Sequence, residues 1–91
     1  VKTVSGDELL SRELVLIKVS CTAAQRADLI SIADITRAKI SDISVNTMTL
    51  ELSASEDKLV TFEELLRPYG IKEVVRTGTI AMQKGSTSLK L

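Results

Sequence analysis

Few residues in this chain could do chemistry, and their spacing argues against catalysis. Histidine is absent altogether, which removes Ser/His and Cys/His nucleophilic pairs and most catalytic zinc sites. Cys21 is the one cysteine; alone it cannot supply a Cys-x-x-Cys metal or redox centre, and at the end of an apolar run it reads as a small packing residue. Acids come in pairs, Asp7 with Glu8, Glu56 with Asp57 and Glu63 with Glu64. Paired carboxylates can serve acid/base chemistry, but each pair falls where helix capping or a solvated helix face accounts for it. Gly6, Gly70, Gly78 and Gly85 stand apart as punctuation, so no glycine-rich loop cradles a phosphate. One cluster stands out. At Arg76, Thr77 and Gly78 a cation, a hydroxyl and a flexible backbone position converge, which suits a contact site or, equally, a cross-strand ion pair beside a bulge.

These groups must be positioned by regular elements, and the hydrophobic pattern supplies them. Ser5 to Glu8 has the Ser-x-x-Glu spacing of a capping box and predicts a short helix near Leu9 and Leu10. The run RELVLIKVS predicts a strand with Val15, Ile17 and Val19 on one face and Leu14, Leu16 and Lys18 on the other. Thr22 can cap a helix from Ala23 to about Ala38, with Leu29, Ile30, Ala33 and Arg37 at helical spacing. KISDISVNTMTLELS alternates Ile43 and Val45, then Met48, Leu50 and Leu52, around a turn at Asn46, and reads as a β-hairpin. Ser55, Glu56 and Asp57 mark the start of a second helix, with Leu59, Phe62, Leu66 and Tyr69 on one face and Gly70 at its end after Pro68. IKEVVRTGTIAMQ reads as a last strand in which Gly78 marks a bulge or a close backbone approach.

The order is β-α-β-β-α-β, a ferredoxin-like α+β arrangement of a four-stranded antiparallel sheet with two helices on one face. The other face has no cover, and Leu14 and Leu16 would lie on it, so a partner is expected there unless the short helix near Leu9 shields them. Phe62 and Tyr69, the chain's aromatic residues, both fall on the second helix; the open face has none to stack on RNA bases.

Composition narrows the partners. With 12 basic and 12 acidic residues the net charge is zero, and neither sign is gathered into a stripe, which disfavours nucleic acid and anionic membrane. Leu14 to Ile17, the longest apolar run, is far short of the roughly 18 residues a membrane-spanning helix needs, so a soluble chain is expected. The 91 residues, 44% of them hydrophobic, suit one domain core. A start at Val1 without methionine reads as a piece of a longer protein whose targeting segment is lost. The expected organisation is a lead-in or linker over 1–12, one folded domain over 13–84 and a loose tail over 85–91.

RELVLIKV (Arg12 to Val19), RAKISDIS (Arg37 to Ser44), TLEL (Thr49 to Leu52), DKL (Asp57 to Leu59) and YGIKEVVRTGTIAM (Tyr69 to Met82) occur in one order and spacing. In these segments the chain resembles the C-terminal domain of the small regulatory subunit of acetolactate synthase, also called acetohydroxyacid synthase; the YGI and RTG wording is nearest to plant, algal and cyanobacterial forms. The resemblance implies a non-catalytic subunit that activates a thiamine-diphosphate-dependent catalytic subunit and confers feedback inhibition by branched-chain amino acids. It implies an effector site in a separate N-terminal ACT domain, no cofactor in this domain, and two partners: the catalytic subunit and sister regulatory domains in a homo-oligomer. Plastid follows for a plant or alga, cytoplasm for a bacterium. The candidate interface is Leu14 and Leu16 on the open face with Arg76, Thr77 and Gly78. Two other readings stay open from the residues: a stand-alone ACT-like amino-acid-binding domain, and a small enzyme of the acylphosphatase kind, whose anion-binding loop is not found.

Overall fold

The computed structural model describes residues 9–85. Strand β1 (Leu9–Ser20) leads through a 3-10 turn (Ala23–Gln25) to helix α1 (Arg26–Thr36). The hairpin β2 (Lys39–Ile43) and β3 (Thr47–Ala54) follows, then helix α2 (Glu56–Leu66), a second 3-10 turn (Arg67–Tyr69), β4 (Ile71–Arg76) and β5 (Ile80–Gln83). The antiparallel sheet runs β2-β3-β1-β4, the ferredoxin-like order, and β5 adds to the first four residues of β1.

Alternation along β1 separates the two faces. Val15, Ile17 and Val19 are buried under the helices, while Leu14, Leu16 and Lys18 are only half-buried. The core closes with Met48, Leu50 and Leu52 from β3, Leu29 and Ala33 from α1, and Leu59, Phe62 and Leu66 from α2. Cys21 lies buried in the same cluster as a free thiol. Thr22 caps as expected: its hydroxyl accepts from the Gln25 amide, and the Gln25 side chain accepts from the Thr22 amide in return. The α2 face also holds, with Tyr69 packed against the core from the following turn.

Several expectations are corrected. No helix forms at Leu9 and Leu10; Leu9–Arg12 extend β1, because β5 offers them a partner. They therefore do not fold over Leu14 and Leu16. The Ser5 to Glu8 capping signal and the tail beyond Gly85 lie outside the described residues. On α1 it is Ile32, not Ile30, that packs against the core; Ile30 is exposed. Ile43 is exposed and Ile40 packs inward instead, because β2 is an edge strand whose pairing with β3 shifts between Ile40 and Asp42; Val45 is exposed in the turn between the strands.

The last strand is broken in two by the bulge expected at Gly78. Val15 faces Arg76 and Arg12 faces Ile80, so three steps along β1 are matched by four along its partner. Around the extra residue Thr77 is pinned to Leu14: its amide donates to the Leu14 carbonyl at 3.0 Å, and the Leu14 amide donates to the Thr77 hydroxyl at 3.1 Å. Gly78 has φ +84 and a Cβ there would meet nothing within 4 Å, so backbone conformation rather than close approach requires glycine.

Candidate interaction site on the open sheet face

A one-residue bulge flips the side chains that follow it to the opposite face. Ile80 and Met82 therefore project on the same side as Leu14, Leu16 and Val75, where an unbroken strand would have placed Thr79 and Ala81. Directly paired residues share a face, and the register places Met82 beside Leu10, Thr77 beside Leu14 and Val75 beside Leu16. Along this face of β1 the apolar side chains Leu10, Leu14 and Leu16 recur with Arg12 among them, and the apolar surface continues onto β4 and β5. Val75 is 54% exposed, and Ile80 and Met82 are each 72% exposed.

Charged residues flank this surface. Just beyond Leu16 the row is Glu73, Lys18, Thr49 and Asp42, and the row through Leu16 is Val75, Leu16, Glu51 and Lys39. A depression of about 270 Å³ lies between Leu16, Lys18, Asp42, Thr49, Glu73 and Val75. Arg12, Lys18 and Lys39 balance Asp42, Glu51 and Glu73, so the face is electrically neutral. Among the described residues the one ion pair is Arg76 to Glu63, which leaves these six charges unpaired.

The three remaining sequence candidates do not form a cluster on this face. Arg76 turns under the sheet and binds Glu63 of α2 at 2.8 Å, tying strand to helix. Thr77 is occupied by the Leu14 backbone, and Gly78 supplies the bulge. Of the five candidates, Leu14 and Leu16 are the half-buried apolar side chains of the open face; Arg76, Thr77 and Gly78 are exposed but serve the ion pair to α2 and the bulge. Glu13, buried at 8% exposure, accepts a hydrogen bond from the Thr79 hydroxyl at 3.3 Å. Among the described residues no three His, Cys, Asp or Glu side chains gather to hold a metal, and no helix is long and apolar enough to cross a membrane. Sequence reasoning missed Leu10, Val75, Ile80 and Met82. Alternation in each strand was the available signal, but which face they join depends on a bulge count that needs the pairing.

The described face thus combines exposed apolar side chains with charges of both signs. Residues 12–85 match the family model described as the small subunit of acetolactate synthase, and the chain belongs to that family. It is 40% identical over 77 residues to the probable acetolactate synthase small subunit of Archaeoglobus fulgidus, covering 85% of this chain and 48% of that protein. It is 43% identical over 76 residues to the small subunit of Aquifex aeolicus, covering 82% and 40%. It is 38% identical over 84 residues to the chloroplastic small subunit 1 of Nicotiana plumbaginifolia, covering 92% and 19%. These values do not single out the plant forms. The crystal structure of the Thermotoga maritima acetolactate synthase small subunit superposes with a TM-score of 0.82 at 28% identity, covering 90% of this chain and 50% of that one. The chain spans about half or less of each of these proteins.

Proposed function

We propose that this chain is a domain of a non-catalytic regulatory subunit of acetolactate synthase, acting in branched-chain amino-acid synthesis, and that its open sheet face contacts another protein of that assembly. The observation that carries the reading is the apolar surface from Met82, Leu10 and Ile80 to Leu14, Leu16 and Val75, with Arg12 among them, set among charges of both signs and left uncovered by both helices. Apolar surface of this extent is removed from water at roughly 25 cal/mol per Å² when a partner covers it. Twelve residues of β1 span roughly 40 Å and four strands roughly 19 Å. That gives at most about 760 Å², close to the roughly 800 Å² one partner contributes to a standard interface. Neutrality favours a sister domain or the catalytic subunit over a strongly charged polymer.

Family membership supports a role in activating the catalytic subunit and transmitting feedback inhibition by valine, leucine or isoleucine. The effector would bind in the part of the relatives that this chain does not span. The compartment follows the source, plastid for a plant or alga and cytoplasm for a bacterium.

The test is a titration of this chain against purified acetolactate synthase catalytic subunit, following complex formation and acetolactate production with and without valine. Saturable binding is expected. No binding at tens of micromolar, with no self-association either, would remove the proposed contact role (such concentrations correspond to roughly 6 kcal/mol).

A further inference from the structure

Where the end of α1 meets the start of α2, on the side of the sheet away from the open face, the chain forms a solvent-open recess of about 360 Å³. We propose that this recess binds a small organic anion, a carboxylate carried on a short apolar body. Its floor is the buried pair Leu52 and Phe62, Ile35 forms a wall, and Arg37, Asp57 and Lys58 stand at its rim. A few polar groups around an apolar floor, in a volume of roughly 300 Å³ or more, is the usual make-up of a small-molecule site.

Arg37 singles out an anion. It is the one residue other than glycine with positive φ among the described residues, at 64°, in the left-handed region where glycine or asparagine normally closes a helix. Closure itself makes no use of the side chain: the Arg37 amide donates to Ala33 and Asp34, and the Ala38 amide donates to the Ala33 carbonyl at 2.8 Å. Glycine would serve the fold better, so the guanidinium is held there for something other than folding. Among the described residues neither Arg37 nor Lys58 has a side-chain hydrogen bond or ion pair. Counting Asp57, the three rim residues carry one net positive charge, and a guanidinium matches a carboxylate through two parallel hydrogen bonds. Ile35, 81% exposed, would be partly covered by the apolar body of such a ligand.

The experiment is a methyl NMR titration of this chain with pentanoate, with pentanamide as its neutral counterpart and inorganic phosphate as a bare anion. Pentanoate should shift the Leu52 and Ile35 methyl signals saturably, with a dissociation constant on the order of 1 mM. Binding should weaken about tenfold or more for pentanamide and in Arg37→Gly, while phosphate leaves Leu52 unmoved. Glycine suits the backbone at this position, so Arg37→Gly should unfold at the same temperature or higher, which separates lost binding from lost fold. No saturation below about 50 mM, equal affinity for the amide, unchanged binding in Arg37→Gly, or saturation of the same signals by phosphate would each overturn the proposal.

Discussion

The two faces of β1 are built from alternate residues of a single strand and have opposite fates. Val15, Ile17 and Val19 are sealed beneath two helices, while Leu14 and Leu16, equally apolar, lie on a face that none of the described residues covers. Hydrophobicity alone does not separate them. What does is the layer architecture: two helices of eleven residues each cover one side of the sheet, so one set of side chains builds the core and the other supplies the surface for the proposed contact. The bulge at Gly78 reinforces the division by turning Ile80 and Met82 toward the free side while Thr79 meets Glu13 on the other.

Substitutions at neighbouring positions can break or sharpen this contrast. Ile17→Ala empties a site at the centre of the core and should cost roughly 2–5 kcal/mol, read as a fall in the urea midpoint; a loss under about 1 kcal/mol would mean the covered face does not carry the fold. Gly78→Val forces a branched side chain into the left-handed region and should cost about 1–2 kcal/mol. It should also release β5, seen as faster amide exchange at Ala81 and Met82 than in the parent chain. Leu16→Ala, one residue from Ile17, should change stability by about 1 kcal/mol or less yet weaken partner binding. A loss as large as that of Ile17→Ala would erase the distinction between the faces. Glu63→Gln removes the ion pair to Arg76, whose side chains are 25% and 35% exposed. About 0.5 kcal/mol is expected, and less at high salt.

Much of the fold was legible because it rests on local periodicity. The period of two in Val15, Ile17 and Val19 and the three-to-four spacing of Leu59, Phe62 and Leu66 each identify an element and its buried side. What escaped depends on distant partners. Leu9 and Leu10 follow a sound capping signal, yet a strand more than sixty residues away holds them extended. Ile43 and Val45 alternate properly, but Ile43 ends an edge strand with a shifted register and Val45 lies in the turn beyond it, so alternation does not mean burial there. At the site, Leu14 and Leu16 were readable from β1 alone, whereas Ile80 and Met82 join them only through a one-residue offset visible in the pairing. Arg76 looked like a candidate by its company in sequence, but the acid that engages it comes from α2. The recess beside Arg37 had one faint signal, an arginine where a helix stop calls for glycine.

The most direct test compares the chain with its Leu14→Glu/Leu16→Glu variant, measuring urea unfolding and association with the catalytic subunit, or with itself, on the same samples. If the open face is the contact surface, the variant unfolds within about 1 kcal/mol of the parent while association drops below detection. Unchanged association by a folded variant would contradict the account and move the contact to another surface of the domain.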